Sequence, residues 1–417
     1  MSPIFDIGQF MRKVLLTLFI FFLGCATYQG KVNKARQSME NGNYSQAAME
    51  LEKFAWKVSD DQLIYLLDYA TALQLEQKYQ ESNKALLIAE KIAEIQDYTS
   101  LSREAGSLLL NEGMVQYKGD PFEKVMINTM LAINFLMLND LDAALVETRK
   151  INNMLYLYKK EGKRDYEQNE FAHYLAAMIW EQDRKFDDAY IDYKAAYELN
   201  PNIKYIKEDL IRVAFLSRRM DEYKKWKAEF PEVKFNENSW KNRDGELIVI
   251  YQQGWGPRKR ARPDNHRFPK LFPVYNRTQG ASIFIDGKAV ENTGLAYDVE
   301  DAAIRTLEDD YGRLVAKRMA GVAVKAVAAD QIRQKNEGLG ELAWLVMNIA
   351  DQADLRQWST LPQTFQIARI RLKPGQYKLK IQGLDGVEGQ PTGETSAERE
   401  ITVKPRKATF ISWRSVK

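Results

Sequence analysis

The chain has 417 residues, of which 45% are hydrophobic and 28% charged, and its formal net charge is +3. These proportions are typical of a globular protein, and the length allows two domains. The nearly balanced charge provides no overall field that would recruit nucleic acid. Two histidines, His173 and His266, leave almost no room for a zinc site or a Ser-His-Asp triad, and one cysteine excludes a disulfide within the chain. We therefore expect no cofactor and no metal, and any enzyme chemistry is restricted to carboxylates or lysine.

The N-terminal segment has the form of an export signal. Arg12 and Lys13 precede an apolar run, 14–23, which is interrupted only by Thr17 and is too short to span a bilayer. Gly24 and Cys25 end the run, where a signal peptidase would cut. This ending resembles the lipobox of bacterial lipoproteins, in which the cysteine is acylated and becomes the first residue of the mature protein. The alternative, a buried free cysteine, fits this position poorly.

The lipobox resemblance implies a signal peptide over 1–24, followed by an acylated N-terminus and short spacer over 25–30. Several acyl chains on Cys25 anchor a protein stably, whereas one chain binds membranes marginally. Ala26 resembles the class that is sorted to the outer membrane, so we expect a periplasm-facing outer-membrane lipoprotein. The acidic residue among the first ten fits a signal poorly, which favours Met11 as the translation start.

Residues 31–236 have apolar side chains at the three- and four-residue spacing of helices. The stretch 185–202 resembles the second helix of a tetratricopeptide repeat, a motif in which small residues let paired helices approach and aromatic residues fill the space between them. Its signature positions are Phe186, Ala189, Tyr193, Ala196 and Pro201.

Similar turn signals recur near residues 43, 78, 140 and 220. Some intervals exceed the usual period of about 34 residues. We therefore predict an irregular TPR-like array with room for another helix pair over 101–117 and a charged extension over 158–170. Such arrays bury a continuous core and offer a concave groove to partners.

The composition changes near residue 230, and residues 240–417 contain β-branched runs separated by turns. Asp286 and Gly287 are typical of a hairpin, and Pro374 and Gly375 of another turn. The predicted strands are 246–251, 272–275, 281–285, 365–372, 377–382, 399–403 and 408–413. We predict a β-sandwich-like domain with helices over about 298–353 inserted, at 298–335 and 339–350. The fold class is therefore α+β multidomain.

A basic, proline-containing stretch over 255–270 is predicted to be an extended loop. It is either a solvated loop or an anion-binding arm for phosphate-bearing lipid or a cell-wall polymer. The candidate anion-binding residues are Arg258, Lys259, Arg260, Arg262 and Arg267.

Charged residues near 354 offer the other candidate site. Asp354 and Arg356 are spaced to pair and to hold a corner around Trp358, which favours a structural pin over catalysis. The consecutive acidic residues 308–310 point in different directions on a helix, so they do not form the convergent pair that glycoside hydrolysis needs.

Three stretches, 119–126, 354–362 and 374–377, together resemble a family of uncharacterised proteobacterial outer-membrane lipoproteins with tetratricopeptide-like repeats and a C-terminal β domain. The resemblance covers nearly the whole mature chain. It implies a role in envelope biogenesis and carries over no catalytic residue.

The sequence therefore predicts a lipid-anchored periplasmic scaffold or adaptor, not an enzyme, that binds a protein partner through its TPR-like groove. A contact with an anionic envelope component is a further expectation. The alternatives are an enzyme that modifies cell wall or lipid with carboxylates such as Asp354 or Glu308, and a carrier of an apolar ligand lined by 339–350.

Overall fold

The computed structural model describes residues 28–98, 116–160, 168–236, 243–335, 338–339, 341 and 353–417. Cys25 and the signal segment lie outside these residues. So do most of the helix pair predicted over 101–117 and most of the second inserted helix predicted over 339–350.

The N-terminal half is a helical repeat array. Its described helices are α1 (Tyr28–Glu40), α2 (Tyr44–Ala55), α3 (Gln62–Leu75), α4 (Tyr79–Tyr98), α5 (Pro121–Met137), α6 (Leu141–Lys160), α7 (Glu170–Gln182), α8 (Phe186–Leu199), α9 (Ile206–Leu216) and α10 (Met220–Glu229). Consecutive helices form five antiparallel pairs. We call α1, α3, α5, α7 and α9 the first helices and their partners the second helices.

All five pairs have the same turn between their two helices. One residue there has a positive φ, and the next N–H bonds to a carbonyl five residues back, as in Lys78 N to Leu73 O at 2.9 Å. This arrangement satisfies carbonyls at the end of the first helix. The positive-φ residues are Gly42, Gln77, Asn139, Arg184 and Arg218. The turns that the sequence predicts are therefore confirmed, although only the first uses glycine.

The C-terminal half is rich in sheet. Its strands are β1 (Gly245–Gln253), β2 (Arg258–Ala261), β3 (Pro269–Phe272), β4 (Gly280–Ile285), β5 (Lys288–Asn292), β6 (Gly294–Asp298), β7 (Thr364–Leu372), β8 (Gly375–Leu384), β9 (Pro391–Thr395), β10 (Arg399–Val403) and β11 (Ala408–Arg414). A four-stranded sheet has the order β11-β1-β7-β6, and a five-stranded sheet has β10-β8-β4-β5 with β9 on β8. Strands β2 and β3 form a separate hairpin.

Six of the seven strands predicted from the sequence are formed, and one is not. The predicted strand 272–275 is not formed, because β3 ends at Phe272 and the chain continues without sheet pairing. The basic stretch that was expected to be an extended loop contains β2 and β3. The short strands β2, β5, β6 and β9 lack an apolar run that would have predicted them.

Strand β1 lies at the centre of the C-terminal half and is buried along nearly its whole length. Leu247, Val249 and Tyr251 pack with residues of the five-stranded sheet, such as Ile283. The alternate residues, among them Ile248, belong to the core cluster that includes the helices. Because both faces are covered, β1 has a continuous apolar sequence.

After β6 the chain enters α11 (Val299–Lys335), a helix of 37 residues that matches the predicted 298–335. It packs near its start against β3 and β7. Phe268 and Tyr311, whose ring centroids are 5.4 Å apart, join the β2–β3 hairpin to this helix.

A buried charge network joins the four-stranded sheet to the helical array. Arg369 of β7 places Nη1 2.7 Å from Asp209 Oδ1 of α9, and Nη2 2.8 Å from Glu246 Oε2 of β1. Arg212 bridges Asp209 and Glu181 at 2.6 and 2.8 Å. The carboxylates are matched by guanidinium groups, so the interface buries charge without leaving it unpaired.

We expect Arg369→Met to destabilise the fold by about 3–5 kcal/mol, because it leaves Glu246 without its guanidinium partner and Asp209 with Arg212 alone. Urea unfolding followed by tryptophan fluorescence measures this change. Arg371→Met is the matched control, since Arg371 lies on the same strand in a partly exposed pair with Glu208 at 3.0 Å. It should cost about 1 kcal/mol or less. Equal losses in both variants would contradict the assignment.

Candidate functional site

The first helices form the surface that the sequence predicts to be a partner groove, and the chain covers this surface itself. Most residues of α3, α5 and α7 are buried. Phe171 of α7 stacks on Phe365 of β7 with ring centroids 4.6 Å apart. Gln252 Nε2 donates to Gln74 Oε1 at 3.1 Å. Over the described residues, the four-stranded sheet therefore occupies the position that a bound partner would take.

Residues 353–363, which we call the strap, lie across the first helices between α11 and β7. The Tyr28 hydroxyl has two acceptors for its one proton, Gln357 O at 2.6 Å and Asp68 Oδ2. The guanidinium of Arg36 donates to Ser359 O. Thus the strap backbone is held by α1, and its side chains reach α3 and α5. These contacts join segments about 300 positions apart in sequence, for example 329 for Tyr28 and Gln357.

Trp358 is the central side chain of the strap. It is buried, and its indole N–H donates to Thr71 Oγ1 of α3 at 3.0 Å. Its backbone N–H donates to Glu123 Oε1 of α5 at 2.7 Å. Glu123 also accepts from the Tyr117 hydroxyl at 2.5 Å and from the Asp120 backbone N–H at 3.0 Å. One carboxylate therefore caps its own helix and holds the strap.

Asp68 of α3 is a second buried carboxylate that holds the strap. Its Oδ1 accepts from the Thr360 hydroxyl at 2.7 Å and from the Thr360 backbone N–H at 3.2 Å. Its Oδ2 accepts from Tyr28 at 2.5 Å. Both acceptor oxygens are therefore used in fixing the strap to the helices.

Burial raises the pKa of both carboxyl groups. The pKa of Asp68 rises to about 6, against the opposing effect of its hydrogen bonds from Tyr28 and Thr360. The pKa of Glu123 rises to about 7, because of burial first and the nearby Asp120 carboxylate second. Both groups are therefore costly to ionise at the place where the two halves of the chain meet.

The structure brings the predicted pin residues together. Arg356 Nη2 lies 2.6 Å from Asp354 Oδ2, and Arg356 Nη1 lies 3.0 Å from Asp61 Oδ1 at the start of α3. Trp358 follows two residues later in the buried position described above. Asp61 was not predicted, and no local signal in the sequence marks it.

The predicted basic residues do not converge on one point. Lys259 is buried at the junction, by which we mean the contact between the helical array and the strap. Its Nζ donates to Arg356 O at 3.1 Å and lies 3.6 Å from Asp120 Oδ2. Arg260, its neighbour on β2, is exposed, because successive strand residues face opposite sides. Arg262 pairs with Asp264 through two contacts, and Arg258 and Arg267 are half-buried.

Two carboxylates that line one pocket, Asp120 and Glu123, both lie at the start of α5, where Lys259 is close to them. Glu90 and Glu147 approach one another inside the array, but Asn128 donates to both, at 2.5 and 2.8 Å. The described residues contain no group of side chains suited to a metal ion. A cleft of about 280 Å³ between α11 and the β2–β3 hairpin contains one carboxylate, Glu308, beside basic and apolar residues.

Comparison with known proteins gives structural similarity alone. No family model and no curated protein matches the chain. A MamA structure from AMB-1 is similar at 16% identity over 51% of this chain and 96% of that chain, with a TM-score of 0.32. A putative kinesin light chain from Podosopora anserina with TPR-like repeats is similar at 14% identity over 49% and 93%, with a TM-score of 0.34.

None of the described helices combines the length and the apolar composition that crossing a membrane requires.

We expect stability to fall as pH rises from about 4.5 to 7, because the native state keeps protons on Asp68 and Glu123 that the unfolded chain releases. The free energy of unfolding should change by about 1.4 kcal/mol for each unit of pKa shift. Urea unfolding over this pH range measures the slope.

Glu123→Gln should make the slope shallower, because the amide does not titrate, whereas Asp68 still contributes to the slope. The exposed Glu388→Gln is the matched control and should leave it unchanged. A Glu123→Gln protein with the wild-type pH slope would show that this carboxyl group does not set the stability of the junction.

Proposed function

We propose that the protein is a lipid-anchored scaffold or adaptor on the periplasmic side of the outer membrane, with a non-catalytic role in assembly or maintenance of the cell envelope. Acylation of Cys25 supplies the anchor, and a protein partner and an anionic envelope component are its binding partners. The two packed sheets are best classed as a β-sandwich. In support, α1 begins at Tyr28, so a very short spacer would hold the array close to the membrane surface.

The observation that carries the proposal is that the first helices are covered by the chain itself, whereas the second helices keep an exposed surface. The first helices are used within the chain, where the sheet and the strap cover them. Large apolar side chains remain exposed on the second helices, including Met49 of α2 (59% exposed), Tyr156 of α6 (64%) and Ile191 of α8 (57%). Exposed apolar side chains mark a protein-binding site where one partner covers them together, as we propose for these positions. The partner therefore binds the outer surface of the array, and its complementary surface is apolar.

Site-specific photo-crosslinking in the native envelope tests this surface. A photoreactive residue at Met49, Tyr156 or Ile191 should give an adduct with one and the same protein. The matched control positions are Val387 in the C-terminal half and Met319 on α11, both exposed apolar side chains outside the array. They should not give that adduct. Adducts at the control positions alone, or equal adducts everywhere, would contradict a specific surface on the second helices.

Cys25→Ser tests the anchor separately. The variant should lose acylation and no longer partition into the detergent phase, because the serine hydroxyl does not replace the acylated thiol. Metabolic labelling with a fatty-acid analogue and phase separation measure both properties. Retained labelling in this variant would place acylation elsewhere and remove the basis for the anchor, whereas the crosslinking result would stand.

A further inference from the structure

Two buried arginines meet on the ring of Trp255, in the turn after β1. The Arg36 guanidinium carbon of α1 lies 4.3 Å from the ring centroid, and that of Arg414 at the end of β11 lies 5.0 Å from it. The two guanidinium groups are therefore within about 9 Å of each other. Arg36 is 1% exposed and Arg414 is 8% exposed.

Arg36 has an unused hydrogen-bonding edge. Its Nη1 donates to Ser359 O, but its Nε and Nη2 have no acceptor. These two nitrogens form the edge that binds two oxygens at once. Arg212 uses the same edge to hold both oxygens of Glu181, each at 2.8 Å. In Arg36 this edge is buried, and no oxygen accepts a hydrogen bond from it.

Arg414 adds two further nitrogens without an acceptor. Its Nη2 donates to Gly254 O at 3.2 Å, whereas Nε and Nη1 have none. The buried hydroxyl of Ser359, on the strap residue that holds Arg36, also lacks a hydrogen-bond partner. The Trp255 ring therefore lies beside two guanidinium groups with four unsatisfied nitrogens in all.

The positive charge of this cluster is not balanced by ion pairs. Within the described residues, neither Arg36 nor Arg414 has a carboxylate within salt-bridge distance, and neither does the half-buried Arg258, whose charge acts on Arg36. Asp68 and Glu40 act on Arg36 from a greater distance, and the oxygens of Asp68 already accept from the strap and α1. This contrasts with the matched charges around Arg369.

The pKa values of the two buried guanidinium groups are lowered in this arrangement. Burial, and then the charge of Arg258, lower the pKa of Arg36 to about 10. Burial, and then the charge of Arg36, lower the pKa of Arg414 to about 9. Buried charges without partners oppose folding, and a bound anion would remove that opposition.

We propose that Arg36, Arg258 and Arg414, with the Ser359 hydroxyl, form a binding site for a phosphate group. Three cations favour phosphate over a single carboxylate, because a phosphate carries up to two charges and offers more oxygens to guanidinium donors. Trp255 holds the two buried guanidinium groups in place by stacking. The half-buried Arg258 marks the side from which the anion enters. The phosphate is either free or part of a lipid headgroup.

This site does not depend on the lipid anchor or on the outer surface of the array. Its test uses the full chain in nonionic detergent. Inorganic phosphate should raise the melting temperature relative to chloride at equal ionic strength, by about 3 °C at a hundredfold excess over Kd. Arg414→Met and Arg258→Met should lose this rise. Arg313→Met is the control, since Arg313 is exposed on α11 and should keep the full rise.

A second measurement distinguishes the two sources of phosphate. Sedimentation of the Cys25→Ser protein with phosphatidylcholine vesicles, with and without phosphatidic acid, reports binding to headgroups. Arg-dependent binding to the phosphatidic acid vesicles assigns a lipid headgroup, and an Arg-dependent melting shift with phosphate alone assigns a soluble ligand. The proposal is overturned if wild-type protein responds to neither, or if the arginine variants respond as wild type does.

Discussion

The structure depends on the burial of the first helices against the chain's own sheet. Helix α3 is apolar or small on nearly every side, so no face of it can be left in water without a large cost. Its neighbours α4 and α2 cover part of its surface, and the strap and the four-stranded sheet cover the rest. Strand β1 has the same requirement, because it is apolar on both faces. The helical array and the sheet therefore complete each other and share one core cluster.

Three clusters of polar groups lie inside this shared core, besides single buried atoms without a partner such as Gln252 Oε1 and Gln357 Oε1. The Arg369 network pairs its charges directly, and the strap places backbone N–H groups on Asp68 and Glu123. The third cluster, around Trp255, buries two guanidinium groups, each with two nitrogens that lack an acceptor. Since buried polar groups are nearly always satisfied in proteins, this exception points to a ligand. It also lies where the strap meets α1, so a bound anion would strengthen the same junction.

The sequence predicted the repeats well, because their turns and apolar spacing are local properties. The strands with long β-branched runs, such as β1 and β7, were also predictable. Strands β5 and β6 were missed, since short strands with few apolar residues have no distinctive pattern. The five basic residues of the 255–270 stretch were treated as one group. The pleat of β2 separates Lys259 from its neighbours, and the structure instead places Arg258 close enough to Arg36 for the two charges to interact.

The sequence by itself determined the helix pairs and the main strands, because each depends on residues that are close along the chain. The prediction of an acylated Cys25 also comes from a local pattern. Only the tertiary structure decided that the inner surface of the array is occupied by the chain itself. Asp68 and Thr360 are 292 positions apart, and no local pattern predicts their hydrogen bond. The same holds for the burial that raises the pKa of Asp68 and Glu123, and for the meeting of Arg36 with Arg414. Burial and pairing depend on which surfaces pack together, and that is a property of the complete fold.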